Sequence, residues 1–133
     1  MGIFDKLNVP KEKELTPDIW IPLEDENLLE SLFSQPQTFA IFKHSTRCSI
    51  SLMAKKRLER EWANSFSQEN LPLYYLDLLT YRPISNAVAQ LSSVEHQSPQ
   101  LIVIYQGKLL YATSHNDISA ADAANAFMAA ITK

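Results

Sequence analysis

Apolar residues recur along the chain at two different spacings. Short runs rich in apolar, β-branched and aromatic residues, bounded by proline or by polar turns, predict strands at residues 19–23, 38–43 and 71–79. Apolar positions at three- and four-residue steps predict amphipathic helices at residues 24–34, 49–66, 83–91 and 119–131. Strands and helices therefore alternate through the first two thirds of the chain.

The last third of the chain contains a predicted hairpin. Two β-rich runs, 101–105 and 109–112, flank the turn Gln106-Gly107-Lys108 and predict two antiparallel strands. The earlier strand-helix-strand units favour parallel neighbours, because parallel strands need a crossover connection. The sequence therefore predicts an α/β fold, in which helices flank a mixed central sheet. Residues 19–23 are expected at an edge of it, since Pro22 cannot donate a ladder hydrogen bond.

The length and charge of the chain narrow the classes of partner. Residues 1–17 mix charges with two prolines and show little apolar periodicity, so we predict an N-terminal arm followed by one domain at 18–133. The net charge of -3 argues against nucleic acid as a partner. No apolar run approaches the roughly 20 residues that cross a bilayer, and the first residues do not resemble a secretory leader. We therefore expect a cytoplasmic protein that does not bind membranes.

The single cysteine, Cys48, is the strongest candidate for chemistry. A lone cysteine cannot form a disulfide within the chain, which leaves either a buried, inert side chain or a reactive thiol. Cys48 follows the polar turn 44–47 directly and begins the helix 49–66, where unpaired backbone N–H groups and the helix dipole favour the thiolate. Lys43, His44 and Arg47 add local positive charge. The position therefore favours a nucleophile.

Ser51 stands three residues after Cys48, and its hydroxyl and backbone N–H can reach back to the sulfur as donors. Ser49 and Ser51 are also ordinary residues for a helix start, so the Cys-x-x-Ser spacing is weak evidence when taken alone. A metal site built from His44, Cys48, His96 and His115 is a weaker alternative, because these residues lack paired ligand spacing. We predict no metal site.

A second feature lies far from the cysteine, where Ser98-Pro99 immediately precedes the first hairpin strand. A strand, a cysteine at a helix start, and a Ser-Pro pair that opens a hairpin before a closing helix resemble the thioredoxin-like fold. Phe42-Lys43-His44-Ser45, Cys48-Ser49-Ile50-Ser51 and Ser98-Pro99-Gln100 resemble the monothiol bacilliredoxin family of that superfamily. The resemblance covers roughly residues 19–131.

The resemblance implies roles for individual residues. Cys48 would be the nucleophile, assisted by Ser51, and Pro99 would be a cis-proline that presents the Ser98 backbone to substrate. Arg47, Ser49 and His44 would complete the substrate-binding surface. The family usually has Thr-Cys-Pro-Ile-Ser, whereas Arg47 and Ser49 stand here in place of the threonine and proline.

The implied activity is that of a monothiol disulfide oxidoreductase, which removes bacillithiol or a similar low-molecular-weight thiol from mixed disulfides on client proteins. Its partners would be thiol-capped proteins and the small thiol as co-substrate, with no bound cofactor. The alternative is a redox-inactive binding or stress-adaptor module on the same fold, since folds are reused without their chemistry.

Overall fold

The computed structural model describes residues 19–66 and 70–132. The predicted arm 1–17 lies outside the described residues. The strands are β1 (Trp20–Pro22), β2 (Phe39–His44), β3 (Leu73–Asp77), β4 (Gln100–Tyr105) and β5 (Lys108–Ser114). The helices are α1 (Glu26–Ser34), α2 (Ser49–Ser65), α3 (Arg82–Ser92) and α4 (Ala120–Ile131), with a short 3-10 turn at His115–Asp117.

The five strands form one mixed sheet in the order β1-β3-β2-β4-β5. β1 and β2 run parallel to β3, whereas β4 is antiparallel to both β2 and β5. The predicted mixed sheet, the hairpin and the edge position of the first strand are therefore confirmed. Among the described helices, none is long and apolar enough to cross a bilayer.

The central strand β2 is buried along its whole length, because helices cover both faces of the sheet. Ala40 and Phe42 face one core, which is completed by residues of α2 and α4. Phe39 and Ile41 face the other core, which α1 and α3 complete. Because side chains alternate along the strand, β2 contributes residues to both cores. For the same reason Lys43 and His44, at its carboxyl end, lie on opposite faces of the sheet.

Most element boundaries differ from the sequence prediction by one or two residues, and at three of them the contacts show why. The prediction placed His44 in a turn, but β2 continues through it because His44 pairs with Asp77 and its carbonyl accepts the Leu78 N–H at 3.0 Å. The strand predicted at 71–79 ends earlier, at Asp77, whose carboxylate accepts the N–H groups of Leu79 and Thr80 and closes a turn. β5 extends beyond residue 112 to Ser114, which pairs with Gln100.

The helix starts differ in how they are capped. Asp25 accepts the N–H of Asn27 at the start of α1, and Ser119 accepts the N–H of Asp122 at the start of α4. Cys48 occupies the corresponding position at the start of α2 and makes no side-chain capping bond. The first turn of α2 therefore keeps backbone donors available beside the cysteine.

The hairpin between β4 and β5 turns on Gln106 and Gly107, and both have positive φ, 51° and 84°. Two positive φ angles in a two-residue loop are the signature of a type I′ turn, which matches the twist of the strands. The Gly107 N–H donates to the Gln37 carbonyl at 2.9 Å, and a Cβ at Gly107 would lie 3.2 Å from the Pro36 Cα. Backbone conformation and contact both require glycine here.

We predict that Gly107→Ala lowers the free energy of unfolding by about 1–2 kcal/mol, because alanine resists positive φ and would press on Pro36. Gln106→Asn is the matched variant and should leave stability equal or higher, since asparagine tolerates this region. Urea unfolding followed by circular dichroism measures both. An unchanged midpoint for Gly107→Ala would contradict this account of the turn.

Candidate functional site

The fold places Cys48, half-buried, at the amino end of α2, where the turn 45–47 joins β2 to this helix. Its backbone N–H donates to the Ser45 carbonyl at 3.2 Å, and its own carbonyl accepts the Leu52 N–H at 3.0 Å. These bonds fix the turn 45–47 and the first helical turn on either side of the sulfur. A half-buried thiol at a helix amino end is accessible to a reactant and lies close to backbone donors that stabilise negative charge.

The Ser98-Pro99 pair and this turn lie at the same end of the sheet, which is the carboxyl end of β2. Antiparallel pairing of Lys43 with Gln100 places Pro99 next to the end of β2, although the two segments are far apart in sequence. The peptide bond between Ser98 and Pro99 is cis, as the family resemblance implies. The structure therefore brings Pro99 to the end of the sheet where the turn 45–47 leads to Cys48.

Ser51 is buried and takes part in a contact that the sequence did not predict. Its hydroxyl oxygen accepts the Ser45 N–H at 3.0 Å and lies 2.7 Å from His44 Nδ1. Either group can donate in this contact, because the tautomer of the imidazole decides whether Nδ1 carries the proton. The structure therefore gives the hydroxyl partners in the turn, and the expected donation from Ser51 to the Cys48 sulfur stays a prediction.

His44 is 3% exposed. Its ring stacks on Phe42 with centroids 5.7 Å apart and packs at a tilt against Tyr75 with centroids 5.6 Å apart. Burial, helped by the positive charge of Lys55, lowers the pKa of His44 from 6.5 to about 4, so the ring is neutral near pH 7. A neutral ring can accept the Ser51 proton. The predicted substrate contact of His44 stays a prediction, and the structure gives this buried ring another partner.

The two residues that depart from the usual family motif flank the cysteine. Arg47 and Ser49 are both exposed, one on each side of Cys48. Their side chains are therefore available to a molecule that approaches the sulfur. Their role in binding such a molecule stays a prediction.

Lys43, predicted from the sequence to add positive charge beside Cys48, instead contacts partners that the sequence did not predict. It is fully buried, and its Nζ donates to the Ser85 carbonyl at 3.2 Å and contacts His96 Nδ1 at 3.1 Å. Burial lowers the pKa of Lys43 from 10.5 to about 8. The signal in the sequence was a lysine within an otherwise apolar strand, one residue before a histidine.

Lys43 and His96 lie on the face of the sheet opposite to Ser51, because side chains alternate along β2. Burial, together with the charges of Lys43 and Arg82, also lowers the pKa of His96. The weaker hypothesis of a metal site required His44 and His96 to converge on Cys48. In the part of the chain that the structure describes, no three potential ligands come together as a metal site would need.

Comparison with solved structures defines the class of protein. A candidate oxidoreductase with a thioredoxin fold superposes with a TM-score of 0.70 at 25% identity, covering 82% of this chain and 94% of its own. Thioredoxin from Trypanosoma brucei brucei gives 0.64 at 13% identity, with 85% and 91% covered. Thioredoxin O2 from Arabidopsis thaliana gives 0.61 at 17% identity, with 86% and 95% covered. The chain is a thioredoxin-fold protein with a single cysteine at the start of α2.

The family model described as monothiol bacilliredoxin BrxC matches residues 21–123. This match spans both the turn that leads to Cys48 and the Ser98-Pro99 pair. The chain therefore belongs to the monothiol bacilliredoxin family, and its function is thiol redox chemistry.

Burial of neutral His44 predicts a dependence of stability on pH. Between pH 6.5 and about 4 the unfolded chain binds a proton at this residue that the native chain does not bind. The contribution of His44 is therefore fully present above pH 6.5 and is lost as the pH falls, with a slope of up to about 1.4 kcal/mol per pH unit. Denaturant unfolding at several pH values measures the slope.

Two variants test whether His44 causes this dependence of stability on pH. His44→Asn should flatten the acid slope, whereas His115→Asn should retain it, because His115 is exposed and its positive φ of 58° suits asparagine. The pKa of His96 is lowered as well, which contributes a slope of the same sign, so some dependence remains in His44→Asn. Equal slopes for the two variants would contradict the assignment.

Proposed function

We propose that the protein removes bacillithiol from mixed disulfides on client proteins, with Cys48 as the nucleophile. The observation that carries this proposal is the placement of the chain's only cysteine, half-buried at the uncapped amino end of α2. A thiolate at this position is stabilised by the helix dipole and by nearby backbone donors. It lies at the end of the sheet that also carries cis Pro99. Family membership supports the same chemistry.

The reaction is a thiol-disulfide exchange in two balanced steps. In the first step the Cys48 thiolate attacks the bacillithiol sulfur of the mixed disulfide. A Cys48-bacillithiol disulfide forms, and the client leaves as a thiolate. In the second step a free bacillithiol thiolate attacks the bacillithiol sulfur now bound to Cys48, releasing bacillithiol disulfide and regenerating the Cys48 thiolate. Each step breaks one disulfide bond and forms another. Over the cycle the client sulfur is reduced from the disulfide to the thiolate level, and the sulfur of the free bacillithiol is oxidised from the thiolate to the disulfide level.

The surface around Cys48 suits a protein client. Large apolar side chains are exposed in the first turns of α2, at 41% for Ile50, 46% for Leu52 and 61% for Met53. Apolar residues clustered beside a reactive group are typical of surfaces that contact other proteins. In this proposal Ile50, Leu52 and Met53 contact the client, and Arg47, Ser49 and the Ser98 backbone bind the segment that carries its capped cysteine.

Cys48→Ser should abolish transfer of the cap. Intact-mass spectrometry of the reduced protein mixed with a bacillithiol-capped model protein should show the added mass on the wild-type chain and none on the variant. A glutathione-capped donor in parallel tests which thiol is accepted. The absence of transfer from either donor to the wild-type protein would sink the proposal and favour the redox-inactive binding module.

Met53→Glu should slow transfer from a capped protein more than transfer from a small bacillithiol disulfide, because only the protein donor covers the apolar surface. We expect the ratio of the two rates to fall about tenfold, which corresponds to about 1.4 kcal/mol of binding free energy. Ala63→Glu, an exposed position farther along the same helix, is the matched control. Equal slowing with both donors would contradict a role in client binding.

A further inference from the structure

A depression of about 290 Å³ lies between the edge strand β1, strand β3 and helix α2. Its lining is formed by Trp20, Pro22, Glu24, Lys55 and Tyr75. The volume is close to the lower limit of small-molecule pockets, which is about 300 Å³. None of these five residues takes part in the exchange chemistry described above.

The depression lies on the same side of α2 as the reactive sulfur. Lys55 follows Cys48 by seven residues. In an α-helix this separation is a rotation about 20° short of two full turns and a rise of about 10 Å along the axis. A chain of contacts also joins the two places, since Tyr75 packs on His44 with centroids 5.6 Å apart and His44 is bound to Ser51 in the first turn. A small molecule attached to the sulfur can therefore extend along α2 into the depression.

The basic group of the depression, Lys55, is held by its neighbours. Lys55 Nζ lies 2.6 Å from Glu59 Oε2, which also accepts the Trp20 Nε1–H at 2.8 Å. The same Nζ lies 5.8 Å from the ring centroids of Trp20 and Tyr75. A lysine has three N–H donors, so Lys55 retains donors for a ligand after binding Glu59. The site is thus partly organised before any ligand binds.

We propose that this depression binds the sugar portion of a glycosylated low-molecular-weight thiol while its sulfur is joined to Cys48. The inference rests on the proposed function and adds the site that recognises the cap. The rings of Trp20 and Tyr75 provide flat apolar surfaces for the C–H face of a sugar ring. Lys55 supplies a donor and Glu24 an acceptor for hydroxyl or amino groups on its edge.

The same lining disfavours other classes of ligand. A purely anionic group would meet Lys55 already paired with Glu59, and Glu24 would repel it. A purely apolar group would cover the remaining Lys55 donors without giving them partners, which costs free energy. A ring with apolar faces and polar edges satisfies both kinds of surface.

Binding can be tested without the exchange reaction. The probe is S-methyl bacillithiol, in which a methyl group blocks the sulfur of this sugar-bearing thiol, and S-methyl glutathione is the peptide comparison. Each is titrated into the Cys48→Ser protein while the fluorescence of Trp20 is followed against the buried background of Trp62. We expect a saturable change with the bacillithiol probe and a much weaker one with the glutathione probe.

Two neighbouring lysines provide the matched variants. Lys55→Ala should weaken binding of the S-methyl bacillithiol probe by ~10-fold, the loss typical of one charge-assisted hydrogen bond. Lys56→Ala, exposed and outside the depression, should bind as before. Glu24→Gln, at an exposed position, provides a second test that leaves the Lys55 and Glu59 pair intact.

The outcomes separate the two proposals. No saturable binding by the Cys48→Ser protein, or equal affinities for Lys55→Ala, Glu24→Gln and Lys56→Ala, would overturn the sugar site even if Cys48 accepts the cap in the mass assay. Binding that depends on Lys55 and Glu24 supports the site, whereas failure of cap transfer in the wild-type protein counts against the exchange reaction alone.

Discussion

The structure depends on burial of one strand from both sides. β2 lies at the centre of the sheet, all six of its residues are buried, and two separate cores are packed against its alternate side chains. A strand held in this way has little freedom to shift, because a slip of one residue would exchange the two cores. The turn that follows β2, and with it the position of Cys48, is therefore set by hydrophobic packing. The position of the candidate nucleophile is a consequence of the core.

Most of the fold follows from the sequence because its patterns are local. The helical spacing of Leu28, Leu29, Leu32 and Phe33 and the β-rich runs around Gly107 need no distant information. The ends of β2 and β3 do not follow from local pattern, because they depend on the pairing of His44 with Asp77, which are far apart in the chain. Local pattern thus predicts the elements, whereas long-range pairing sets their ends.

The candidate site was predictable in part. Cys48 and Ser98-Pro99 carry recognisable local signals, and the resemblance to a known family linked them. The bond between Ser51 and His44 had no such signal, because it depends on which face of β2 meets which face of α2. The partners of Lys43 had no local signal either, because Lys43 continues an apolar strand and Ser85 and His96 come from a distant helix and loop. Polar contacts across layers are what single-sequence patterns leave out.

The Ser51 hydroxyl limits which residues can replace Ser51 in the turn beside Cys48. In two-cysteine redox proteins, a second thiol three residues after the first lets the chain resolve its own disulfide. Here that position is enclosed, and its oxygen holds both the Ser45 backbone and the His44 ring. A thiol is a weaker donor and acceptor, so introducing one would loosen the turn that presents Cys48. In the proposed reaction, the architecture therefore reinforces dependence on an external thiol, which would couple turnover to the thiol supply of the cell.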